Sequence, residues 1–137
     1  MDGSKYAMDA LSLICKIKEP HDKITIIICE QDNINACDLK EIVEYELGEK
    51  EEEENSTIKI LPSEDGRRAA DIIREYIVEE CESYIDYVFI GNNGADFSSN
   101  EEENYLGSVA NEIIRNTKVN VMFVGNKTKT YGNEVIP

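Results

Sequence analysis

The chain has a single histidine, His21, and only 14 Lys and Arg residues against 29 Asp and Glu. Its four cysteines, Cys15, Cys29, Cys37 and Cys81, include no Cys-x-x-Cys pair. Each shortage excludes something. One histidine and scattered cysteines do not make a zinc site. There is no G-x-S-x-G, no G-x-x-x-x-G-K-[ST] and no H-E-x-x-H, so an enzyme with its own nucleophile or metal is not expected. His21 follows Pro20 in a polar loop and reads as solvent-exposed. The scarcity of basic residues leaves a net charge of −15. Such a surface repels nucleic-acid phosphates and anionic lipids, so neither is expected as a partner. No apolar run approaches the roughly 20 residues of a membrane span, and the N-terminus is not a signal peptide. A cytoplasmic protein without a disulfide framework is the expectation. Asn55-Ser56-Thr57 and Asn126-Lys127-Thr128 then read as chance matches to the glycosylation pattern.

What is present suits one α/β domain. A hydrophobic content of 41% over 137 residues allows a single core. Residues 1–125 read as the domain and 126–137 as a polar C-terminal tail. Ala7, Ala10, Leu11, Ile14 and Cys15 recur at three and four, which predicts a helix over residues 4–17 with Ser4 as a plausible cap. Ile24 to Cys29 is a near-continuous apolar run, as in a strand covered on both faces. Leu39, Ile42, Val43 and Leu47 predict a second helix ended by Gly48. Residues 49–54 hold five acids and one lysine and read as a solvated connector. Thr57 to Leu61 alternates like an edge strand. Ala69, Ile72, Ile73, Tyr76 and Ile77 mark a third helix. Cys15 and Cys29, within apolar patterns, read as small core residues.

The most informative stretch follows. Tyr87 to Ile90 is a short strand with Tyr87 and Phe89 reading as core, Val109 to Ile114 is an amphipathic helix, and Val119 to Val124 is a last strand. Between the first two stand Gly91, Gly94, Gly107 and Ser108, at the carboxyl end of a strand. That is where open α/β sheets bind ligands. Glycine lets backbone N–H groups approach a phosphate, and the next helix offers its N-terminus to the same anion. Ser108 suits the helix N-cap. The whole alternation predicts an open, mostly parallel twisted sheet with helices on both faces.

Gly91-x2-Gly94 followed by Gly107-Ser108 resembles the nucleotide-binding signature of the universal stress protein family, Gly-x2-Gly-x9-Gly-Ser/Thr. Asp2-Gly3-Ser4 before an Ala/Leu-rich helix resembles the end of that family's first strand and its first helix. Twelve residues, not nine, separate Gly94 from Gly107, and the family's first strand is missing. The resemblance implies strand order 3-2-1-4-5, strand 1 being missing or replaced. Either its two neighbours then meet directly or another segment or chain fills the gap.

The resemblance also implies a binding or signalling role tuned by ATP or another adenine nucleotide. Gly91, Gly94, Gly107 and Ser108 would surround the phosphates. Asp2 would lie beside the nucleotide, and Cys29, at a strand end, would meet adenine through its backbone. Each has a plainer reading: a helix-start residue for Asp2, tight turns for the glycines. The loop Ala95 to Asn104 holds four acids and no Lys or Arg, which opposes phosphate unless Mg²⁺ offsets it. A nucleotide-free interaction module and a slow nucleotide hydrolase are the alternatives. A homodimer through Val119 to Val124 is expected, because apolar residues stand on both alternating sets of that strand.

Overall fold

The computed structural model describes residues 1–32, 34–91 and 107–124. Gly94, the acidic loop Ala95 to Asn104 and the tail 126–137 lie outside them.

Helix α1 spans Lys5–Ile17. The Ser4 hydroxyl accepts from the Ala7 N–H at 3.3 Å, capping the first turn. Strand β1 is Ile24–Cys29. Helix α2, Ala36–Glu49, is capped by Asn35, whose side-chain oxygen accepts from the Asp38 N–H at 3.1 Å. It runs through Gly48 instead of ending there, and the left-handed residue of the turn that follows is Glu51, with φ 58°. Its buried residues are Ala36, Leu39, Val43 and Leu47, so Ile42 falls off the stripe and is exposed. Strand β2 is Ser56–Leu61. Helix α3, Ala69–Tyr76, continues into one wide turn, Ile77–Cys81, that buries Ile77 and Cys81. Strand β3, Tyr87–Gly91, helix α4, Ser108–Asn116, and strand β4, Asn120–Val124, complete the described order.

The strands form two parallel pairs. β1 pairs with β2, Ile24 opposite Ser56 and Cys29 opposite Leu61. β3 pairs with β4, Tyr87 opposite Asn120 and Gly91 opposite Val124. The chain is thus α/β with parallel strands, but among the described residues the strands make two small sheets and not one continuous sheet. The expected alternative in which the two inner strands meet directly is not realised there: β1 and β3 each have one strand neighbour.

Helices cover both faces of the first pair. Ile24, Ile26 and Ile28 turn one way, into a core with Leu11, Leu39, Val43 and Leu47 of α1 and α2. Ile27 and Cys29 turn the other way, against Ile72 and Ile73 of α3. α1 also packs on β3 and β4, while α3 packs on α4. An ionic network strengthens that last contact, with Arg68 at 3.4 Å and Arg74 at 3.1 Å from the Glu112 carboxylate. α1, which buries Leu11 against β1 and also packs on β3 and β4, therefore links the two sheets.

Two expectations about side chains fail. Tyr87, expected in the core, is 56% exposed, because β3 has a neighbour on one edge only. The acidic connector is not wholly solvated: Glu52 turns inward and meets Lys18 Nζ at 2.9 Å, with side-chain exposures of 16% and 5%. The cysteines behave largely as read. Cys29 is buried and Cys15 half-buried, while Cys81 is also buried and Cys37 exposed.

Candidate functional site

β1 and β3, which have one strand neighbour each among the described residues, both line a cavity of about 1700 Å³. β1 and β3 line its sides, whereas β4 contributes only Asn120 and β2 nothing. Five of the six expected site residues line this cavity: Asp2, Cys29, Gly91, Gly107 and Ser108. The sixth, Gly94, lies outside the described residues. β1 and β3 end on the same side. Met1 donates its amino group to the Ile27 carbonyl at 2.7 Å, near the carboxyl end of β1. The first turn of α1, at Tyr6 and Ala7, abuts Gly91 at the carboxyl end of β3.

Each candidate now has a local physical setting. Asp2 accepts from the Ser4 N–H at 2.9 Å, an Asx turn that leads into α1. Burial holds the Met1 ammonium below the usual amino-terminal value, with the Asp2 charge pulling the other way. Cys29 closes β1, and burial pushes its thiol above the ordinary range. Gly91 is needed for space. A Cβ there would stand 2.6 Å from the Ala7 nitrogen and 2.6 Å from the Tyr6 carbonyl carbon, both backbone atoms. Neither Gly91 nor Gly107 has positive φ; that conformation falls on Gly3, Gly66 and Glu51. Ser108 is not the cap of α4. The cap is Gly107, with φ −67° and ψ 168°, and Ser108 is the first helical residue. Among the described residues the α4 start has no side-chain cap and no acid in its first turn, and a helix start turns its first N–H groups outward, toward an anion where one binds.

Charge at the mouth is mixed. Glu30, Asp32, Glu64 and Asp65 line it together with Arg67 and Arg68. The arginines were not singled out from sequence, where they sit in a turn far from the glycine stretch. Both are engaged. Arg67 reaches Glu64 at 3.1 Å and grips Glu75 with two bonds, at 3.2 and 3.3 Å. Arg68 does the same with Asp71, at 3.0 and 2.9 Å, and holds its carboxyl below the usual range. His21 is exposed and lies at the opposite end of the cavity, beside Lys23 and the start of β1. No cluster of metal-ligating side chains occurs among the described residues. None of their helices is long and apolar enough to cross a membrane. Neither known protein families, nor curated proteins, nor solved structures give a match to this chain.

Proposed function

We propose that the chain is a universal-stress-protein-like binding and signalling domain that takes ATP or another adenine nucleotide at the carboxyl ends of β1 and β3. The observation that carries this reading is the convergence of Asp2, Cys29, Gly91, Gly107 and Ser108 on one cavity, the last two at the start of α4. Phosphate would meet the first N–H groups of α4 at Gly107 and Ser108. The base would lie toward Cys29, where strand backbone supplies donors and acceptors whatever the side chain. The role is that of a cytoplasmic binder, without a catalytic nucleophile. Calorimetric titration with ATP, with and without Mg²⁺, tests it. Binding to the unmodified protein and its loss in Gly107→Val are the expected results. Absence of heat in both titrations overturns the nucleotide.

One set of observations favours the nucleotide-free interaction module as second reading. Four acids line the mouth, and both arginines there are already paired with carboxylates. At an effective dielectric near 20, a carboxylate about 4 Å from a phosphate costs roughly 4 kcal/mol. In this reading the domain works as a homodimer through β4, where Met122 and Phe123 are exposed. A nucleotide-free dimer by light scattering selects it; a nucleotide-free monomer removes it as well.

A further inference from the structure

Arg68 lines the cavity, and the packing of α3 on α4 carries its side chain to the first turns of α4. It stands immediately before α3, and its side chain is 63% exposed. Asp71, three residues on, grips the guanidinium through Nε at 3.0 Å and Nη2 at 2.9 Å. The same Nη2 donates to the Glu112 carboxylate of α4 at 3.4 Å. Glu112 lies four residues after Ser108, so the two stand on one face of α4, one turn of about 5.4 Å apart. Helical side chains lean toward the N-terminus of their helix. The Glu112 carboxylate, and the guanidinium it holds, therefore lie toward the Ser108 turn. Gly107 and Ser108 line the same cavity as Arg68. Arg67 is directed elsewhere, to Glu64 and to Glu75 of α3.

We propose that Arg68 binds the phosphate tail of the nucleotide, next to the phosphate that meets the α4 start, and so selects nucleoside di- and triphosphates over nucleosides. The assignment rests on the nucleotide reading and adds to it a ligand class and a residue outside the glycine signature. The bonds to Asp71 and Glu112 engage Nε and Nη2; Nη1 is the nitrogen assigned to phosphate. A guanidinium stays charged at any physiological pH, and its planar fork of donors matches phosphate oxygens. Carboxylates that already fix its plane reduce the side-chain entropy lost when the ligand arrives. The same carboxylates limit how far its charge reaches. Arg74 is also on Glu112, at 3.1 Å, so Arg68 and Arg74 balance Asp71 and Glu112. Attraction then comes from a directed N–H donor and not from a long-range field. It acts on the phosphate beside Arg68 and leaves base and ribose unaffected.

The test titrates the parent chain, Arg68→Gln and Arg74→Gln with ATP and with adenosine, by calorimetry at low salt. Arg74→Gln controls for packing. It cuts the other ionic link from α3 to Glu112, at a residue outside the cavity lining. The parent should bind ATP more tightly than adenosine. Arg68→Gln should weaken ATP about tenfold, the lower end for a charge-assisted hydrogen bond because the side chain is exposed. It should leave adenosine unchanged, and Arg74→Gln should leave both ligands unchanged. ATP affinity that survives Arg68→Gln, or that falls equally with Arg74→Gln, overturns the assignment while the nucleotide reading stands. So does an equal loss for ATP and adenosine, the result of a loosened α4 and not of a lost phosphate contact. A parent that takes up no ATP overturns the nucleotide reading and this assignment with it.

Discussion

Replacing Gly91 by alanine separates packing from ligand binding at the residue most suggestive of phosphate. The added Cβ meets backbone, not a flexible side-chain tip, at 2.6 Å on two atoms of α1. Ordinary contact begins near 3.4 Å, so α1 must withdraw by about 0.8 Å. It is poorly free to do so. Leu11 and Ala10 are buried beneath it, the Ser4 cap fixes its first turn, and Met1 is tied to Ile27. Overpacking of this kind costs typically 1–3 kcal/mol, and a backbone clash on a fixed helix belongs at the upper end, about 2–3 kcal/mol. With a urea slope of about 1–3 kcal/mol/M, the midpoint falls by roughly 1 M or more. Urea titrations followed by circular dichroism measure it, with Gly107→Ala beside it as the variant aimed at the rim of the site. A Gly91→Ala stability within about 0.5 kcal/mol of the unmodified protein would refute the reasoning, because α1 would then yield freely. Loss of nucleotide binding at unchanged stability would assign Gly91 to the ligand instead of the helix.

Two further predictions follow from buried groups. Lys18→Met leaves the Glu52 carboxylate without its cation in a nearly closed site, and removing one partner of a buried pair costs about 3–5 kcal/mol. Glu52 retains some exposure, so about 2–3 kcal/mol is expected, with Lys18→Met/Glu52→Leu recovering much of it; single variants as stable as the parent would place the pair in solvent. Brief alkylation at neutral pH should modify Cys37 first, because it is exposed while burial raises the thiols of Cys15, Cys29 and Cys81. For those three the folded value lies above the ordinary one of 9.0, so their contribution to stability is full below about pH 9 and is lost as pH rises through the folded values. Peptide mapping that finds Cys29 or Cys81 labelled as fast as Cys37 would contradict this burial.

Local elements were legible because their signals are local. The three-and-four recurrence from Ala7 to Cys15 became α1, and Ser4 took the cap position its chemistry suits. Misses arose where a distant partner decides. Ile42 fits the helical period as well as Val43 does, yet the stripe that faces β1 runs through Leu39, Val43 and Leu47. An acid run has the composition of a solvated segment, and nothing in it marks Glu52 as the member that finds Lys18, 34 residues earlier in sequence. Gly91 shows the same limit at the site. A phosphate and a close helix both require the absence of a side chain, so spacing alone does not separate them. The arginines at the mouth went unnoticed because sheet topology, not sequence proximity, brings the turn after β2 to the end of β1.

The central mismatch lies between what β1 and β3 are made of and where they stand. Ile24 to Cys29 and Tyr87 to Ile90 carry apolar residues on both alternating sets, the composition of strands with neighbours and helices on every side. Natural edge strands are usually blunted by charge, proline or bulges. β2 follows that rule on its outer side, with Thr57 and Lys59 exposed. The edges of β1 and β3 that face the cavity do not: Thr25 is the only polar residue in either stretch apart from the tyrosine hydroxyl. Consistency between local sequence and position is the rule in folded proteins, and its breaches concentrate at functional sites. Here the breach coincides with the cavity that collects Asp2, Cys29, Gly91, Gly107 and Ser108.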